Sequence, residues 1–100
     1  MPSVLTTERF DRWFEGLRDR KAQRRIHARI DRIEDGHFGD YKSVGAQVFE
    51  ARIHFGPGYR LYFTLQGQEV VILLAGGDKS SQRQDIEIAA MEAQLLRKRR

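Results

Sequence analysis

At 100 residues the chain is one domain, and with 40% hydrophobic and 32% charged residues it is too apolar to be disordered. No stretch approaches the ~20 apolar residues of a membrane span, and the absence of cysteine excludes disulfides, thiolate metal sites and a cysteine nucleophile. The formal charge of +4 favours a polyanionic or acidic partner, and residues 1–10 lack the apolar core of a signal peptide, so a cytoplasmic protein is expected.

Residues 1–5 are apolar and short, either a first edge strand or a tail. Thr6 or Thr7 can cap a helix in which Phe10, Trp13, Phe14 and Leu17 follow the i, i+3, i+4, i+7 rule. Asp19 is the expected cap of a second helix, with Ala22, Ile26, Ile30 and Ile33 as its apolar stripe and arginines elsewhere; Gly36 ends it. Two helices joined this closely predict an antiparallel hairpin with both stripes on a sheet. Residues 37–45 carry glycines at intervals that suit turns, and read as a loop.

Residues 49–63, FEARIHFGPGYRLYF, predict a β-hairpin. Phe49, Ala51, Ile53 and Phe55 share one parity, and Glu50, Arg52 and His54 the other. After the Gly56-Pro57-Gly58 turn, Tyr59, Leu61 and Phe63 oppose Arg60, Tyr62 and Thr64. One sheet face should therefore gather Arg52, His54, Arg60 and Tyr62 around a small anion, whose charge would relieve the crowding of cations. The next strand, Glu69 to Ala75, is apolar on both parities, as expected of a strand covered on both faces, and its register is open between a two-residue and a three-residue turn. After GGDKSSQ, Ser80 or Ser81 can cap a last helix, Ser81 with Gln84 as a capping box, whose stripe is Ile86, Ala89, Ala90, Ala93 and Leu96. The expected fold class is α+β: an N-terminal helical hairpin packed on a small, mainly antiparallel sheet of three to four strands, with a C-terminal helix, forming a single domain over residues 1–100.

Four segments in this order, FxxWFxxLRDxxAxxRIxxRI at 10–30, GxFGDYKxVG at 36–45, FExRIxxGPGYRLYF at 49–63 and LLAGGDKSSQRQDI at 73–86, give the chain its family likeness. It resembles the RelE/ParE superfamily of bacterial toxins from type II toxin–antitoxin modules, and within it the HigB-like branch of addiction-module killer proteins. The resemblance implies a toxin whose concave sheet face binds RNA on the ribosome, neutralised by a cognate antitoxin of helix-turn-helix type. RelE-side members cut mRNA without a metal or cofactor, leaving a 2′,3′-cyclic phosphate and a 5′-hydroxyl. ParE-side members poison DNA gyrase instead, and that non-enzymatic activity is the alternative.

Metal-free cleavage by the 2′-hydroxyl requires a proton acceptor, positive charge on the phosphorane and an acid for the leaving oxygen. Arg52 and Arg60 suit the phosphate, since guanidinium forks fit its non-bridging oxygens. An imidazole suits proton transfer at neutral pH, so His54 can be the general base or acid; Tyr62 can stack on a base or bond the phosphate. Lys79 follows two glycines whose bare backbone lets an anion approach, and Asp78 or Glu50 is its expected ion-pair partner. Many relatives place a tyrosine or histidine after the last strand, where this chain has Ser80 to Ile86, so the base is open among His54, Lys79 and Tyr62. Arg20, Lys21, Arg24, Arg25 and Lys42 are either solvated surface or a docking surface for ribosomal RNA. His27 and His37 have no comparable setting, and the three histidines lack metal-ligand spacing.

Overall fold

The computed structural model describes residues 2–99; Met1, in the apolar start, and Arg100, in the basic terminus, lie outside the described residues. The elements run β1 (Ser3–Thr6), α1 (Glu8–Glu15), α2 (Arg20–Glu34), β2 (Tyr41–Gly45), β3 (Val48–Ile53), β4 (Tyr59–Gln66), β5 (Val70–Gly77), a single 3₁₀ turn (Lys79–Ser81) and α3 (Gln82–Lys98). Five strands form one sheet in the order β1-β5-β4-β3-β2, antiparallel except for the parallel β1–β5 pair. The fold is therefore α+β, with a larger sheet than the expected three to four strands.

The additional strands come from both segments without clear periodicity. Residues 3–6 pair with β5, after which the backbone N–H of Thr7 donates to the Leu73 carbonyl at 3.0 Å. The Thr7 hydroxyl bonds the Leu74 carbonyl at 2.8 Å and accepts from Phe10 N at 3.1 Å, so one residue ends β1 and caps α1. The segment expected as a loop contains β2, which is mostly exposed and so lacks the apolar alternation of a half-buried strand. Asp19 caps α2 through Lys21 N and Ala22 N, and Gly36, at φ +89°, follows its C-cap.

Sheet and helices make three layers. Phe10, Ala22, Ile26 and Ile33 of the helical hairpin pack on Ala51, Ile53, Tyr59, Leu61, Phe63, Val71 and Leu73. On the other face α3 lays Ala89 and Ala93 against Val48, Tyr62, Ile72, Leu74 and Ala75. The β4–β5 register resolves the open turn: Gln66 pairs with Val70, leaving three residues between them. A shift in register beside Tyr62 and Phe63 lets consecutive Leu74 and Ala75 both join the α3-side core. The last helix is not entered through a Ser81–Gln84 box. Asp78 caps the 3₁₀ turn through Ser80 N, while the Ser81 hydroxyl turns to the Asp85 carboxylate.

Candidate functional site

Arg52 and Arg60 are direct partners across the β3–β4 ladder, with Glu50 opposite Tyr62 one step further along the same face. The expected face is thus assembled, but α3 covers part of it. Tyr62 is 0% exposed, and its hydroxyl donates to Glu50 Oε2 at 3.2 Å. Burial, then the nearby Glu50 charge, raises the Tyr62 pKa. Tyr62 has no free ring face for a base, which corrects its expected role in stacking: the alanines of α3 admit the helix close enough to seal it.

Glu50 is itself fully buried. Its Oε2 also accepts from Gln82 Nε2 at 2.8 Å and lies 3.6 Å from Arg60 Nε. The Arg60 side chain is only 12% exposed and spends Nη1 on the Gly58 carbonyl at 2.9 Å. On the other side, Arg52 Nη2 bonds Asp40 Oδ1 at 3.2 Å, while His54 Nε2 lies 2.7 Å from Asp40 Oδ2. The two arginines therefore do not repel unopposed, as the sequence suggested; each has a carboxylate. Among the described residues Arg52 Nε, Arg60 Nε and Glu50 Oε1 nevertheless have no hydrogen-bond partner.

His54, 76% exposed, lies just past the end of β3. The ionised form of Asp40 is favoured first by its hydrogen bond with His54 and then by Arg52, so its pKa is lowered. Arg29 of α2 fastens this corner. Its Nε donates to the Phe38 carbonyl at 3.0 Å, Nη1 to that of Arg52 at 2.8 Å and Nη2 to that of Asp40 at 2.8 Å. Asp40, Arg29, Glu50 and Gln82 were not singled out as site residues in the sequence. All four stand at fixed positions of the segments that carry the family likeness, Arg29 in 10–30, Asp40 in 36–45, Glu50 in 49–63 and Gln82 in 73–86, and that membership is their signal in the sequence.

Lys79 meets the hairpin turn from the far side. Its backbone N–H donates to the Pro57 carbonyl at 3.4 Å, and a Cβ on Gly58 would stand 3.6 Å from Lys79 Cβ and 3.4 Å from Arg60 Nη1. Lys79 is exposed and makes no ion pair among the described residues, against the expected pairing. Asp78 is committed to Ser80 and Glu50 to the buried network. Nor are the two glycines bare for an anion: a Cβ at Gly76 would overlap the Trp13 ring, and one at Gly77 the Asp85 carboxylate.

Lys21, Arg24 and Arg25 line a depression of about 610 Å³ with Ala28 and Phe55, and the Arg25 guanidinium sits 4.6 Å over the Phe55 ring. Arg20 and Arg24 line the neighbouring hollow with Phe14, Gln23 and His27. Lys42 is separate from this row: on the edge strand β2 it pairs with Glu50, and so lies on the sheet face that α3 packs against rather than the α2 face. Among the described residues no three His, Cys, Asp or Glu side chains group as a metal site, and no helix is long and apolar enough to cross a membrane.

Residues 12–95, which include the corner at Arg29 and Asp40, both arginines of the hairpin, His54 and Lys79, match the family described as phage derived protein Gp49-like (DUF891). The chain belongs to the Gp49-like family. An uncharacterized protein of Haemophilus influenzae (strain ATCC 51907 / DSM 11121 / KW20 / Rd) is 48% identical over 93 residues, covering 93% of this chain and 94% of that one. The Gp49-like family is a RelE/HigB-type toxin family, and membership points to a toxin–antitoxin toxin with a cognate antitoxin as partner.

Proposed function

We infer that this protein is the toxin of a type II toxin–antitoxin module, of the HigB-like branch, and that it inhibits translation in the cytoplasm by cutting mRNA on the ribosome. The observation that carries this reading is the pairing of Arg52 with Arg60 across the β3–β4 ladder, with His54 joined to Arg52 through Asp40 and Lys79 packed against the turn of the same hairpin. A binder of gyrase would have no need of a proton-transfer group beside paired guanidiniums. Arg52 and Arg60 stabilise the phosphorane, and His54 or Lys79 moves protons. The exposed cations beside Phe55 extend the surface along which an RNA backbone can run, with Arg20, Lys21, Arg24 and Arg25 on α2 and Lys42 contacting from the β2 edge. These groups suffice for attack by the 2′-hydroxyl without a metal ion. The neutralising antitoxin is of helix-turn-helix type.

Primer extension on a defined mRNA, incubated with purified protein with and without programmed ribosomes, tests the reading. Cuts that require the ribosome and vanish in Arg52→Ala support it. Intact RNA with wild-type protein under translation conditions overturns it, and gyrase cleavage complexes in treated cells would then establish the other activity.

A further inference from the structure

The open question at this site is which group takes the proton. Burial removes Tyr62, and the corner between α2 and β2 favours His54 over Lys79. Asp40 offers one oxygen to His54 Nε2 at 2.7 Å and the other to Arg52 Nη2 at 3.2 Å. An ionised carboxylate only accepts hydrogen bonds, so the ring nitrogen facing it carries hydrogen, and the neutral ring keeps its lone pair on Nδ1. Asp40 thus fixes both the tautomer of the imidazole and its spacing from the Arg52 guanidinium.

Asp40 is fixed in turn. The three donors of Arg29 take the carbonyls of Phe38, Asp40 and Arg52, tying the loop before β2 to the end of β3. Gly39 makes room for this: it has φ +70°, and a Cβ there would stand 2.8 Å from Arg29 Nε. A lysine has the charge but not the planar fork that reaches three carbonyls at once.

We propose that His54 is the general base of the RNA-cutting reaction, acting through Nδ1, and that Asp40 and Arg29 are positioning residues that aim its ring. This rests on the ribonuclease reading above. Nδ1 takes the proton of the ribose 2′-hydroxyl as that oxygen bonds to the adjacent phosphorus. The bond from phosphorus to the 5′-oxygen breaks, and that oxygen takes a proton from the Lys79 ammonium. Lys79 is then reprotonated by solvent, and His54 releases its proton to water.

The test is single-turnover cleavage on programmed ribosomes by wild type, His54→Ala, Asp40→Asn, Arg29→Lys and the double variants that combine each of the latter two with His54→Ala. His54→Ala should lose ~10²-fold or more in rate. Asp40→Asn and Arg29→Lys should each lose at least ~10-fold in the rate at saturation with little change in the half-saturating ribosome concentration, and neither should lower the rate further once His54 is gone. Losses that multiply in the doubles, or an Asp40→Asn protein as fast as wild type, overturn the proposal while leaving the ribonuclease standing. A wild type that cuts nothing overturns both. Nitrogen-resolved NMR of the His54 ring gives a readout free of activity: a Nε2–H signal protected in wild type and lost in Asp40→Asn and Arg29→Lys is expected, and no protected signal in wild type sinks the arrangement itself.

Discussion

Arg52 and Arg60 face each other across two strands, yet they are held by different carboxylates in different surroundings: Asp40, 42% exposed in its side chain, and Glu50, fully buried. The same substitution should therefore do different things at the two positions. Arg60→Ala strands Glu50 without its counter-ion in the core, a loss of about 3–5 kcal/mol for breaking a buried pair, and the melting temperature should fall sharply. Arg60→Ala combined with Glu50→Gln should recover much of that loss. Arg52→Ala leaves Asp40 to water, so stability should change by less than about 1 kcal/mol while cleavage falls by ~10²-fold. Thermal melts read beside cleavage rates separate the two; full activity in a folded Arg52→Ala protein would remove Arg52 from the phosphate clamp.

Gly76 is required for space, since the Trp13 ring occupies the position of its absent side chain. Gly76→Ala should destabilise the protein by about 1–3 kcal/mol, because the indole is fixed between α1 and β5 and has to move as a rigid body. Adding Trp13→Leu should return part of the loss by opening that space. Urea titration measures both; a Gly76→Ala protein as stable as wild type would mean the indole is not seated there.

These pairings mark the limit of what the chain shows by itself. Alternation along residues 49–63 located the hairpin and put Arg52 and Arg60 on one face, because parity is a local property. Parity does not say what covers a face. Tyr62 shares the parity of Arg60 and by alternation faces out, and yet small residues such as Ala89 and Ala93 let a helix approach closely and bury it. The Asp40–His54 bond spans fourteen residues and depends on a left-handed Gly39 and on Arg29 from another element, so no spacing rule announces it. The glycines before Lys79 read as bare backbone, but the ring and carboxylate that fill them come from residues 13 and 85.

The β2–β3 connection holds removable strain. Gly45 pairs with Val48, so Ala46 and Gln47 form a two-residue turn, at φ +53° and +62°. That mirror-image turn prefers Asn-Gly, and an ordinary L-residue in the left-handed region costs roughly 1 kcal/mol. The backbone is held there by the Thr64 hydroxyl, which donates to the Gln47 carbonyl at 2.7 Å and would do so for any residue. Replacing the pair by Ala46→Asn and Gln47→Gly forfeits, among the side-chain hydrogen bonds of the described residues, the exposed 3.3 Å contact from Arg97 Nη1 to Gln47 Oε1. The double variant should gain about 1 kcal/mol, raising the melting temperature by roughly 4–8 °C for a domain of this size. A lowered melting temperature would show that the Gln47 side chain contributes more than the turn costs.

The buried Tyr62 hydroxyl should make the protein sensitive to alkali. Burial, the Glu50 charge and the hydrogen bond to Glu50 all disfavour a phenolate there, so the folded-state pKa lies above the unfolded value of about 10. Below that pH both states hold the proton and stability is unaffected by this group. As pH rises past it the unfolded chain gives up the proton and the folded one keeps it, so stability falls by about 1.4 kcal/mol per pH unit until the folded phenol also ionises. Tyr59, raised chiefly by burial, adds to the same loss. Tyr62→Phe should cost about 1.5–3 kcal/mol at neutral pH, one hydrogen bond to a charged carboxylate that retains Gln82, and should then lose stability less steeply than wild type above pH 10. Urea titrations from pH 8 to 11 measure the two slopes. Equal slopes would mean that the Tyr62 phenol is hydrated in the folded protein, and the seal formed by α3 over this face would have to be abandoned.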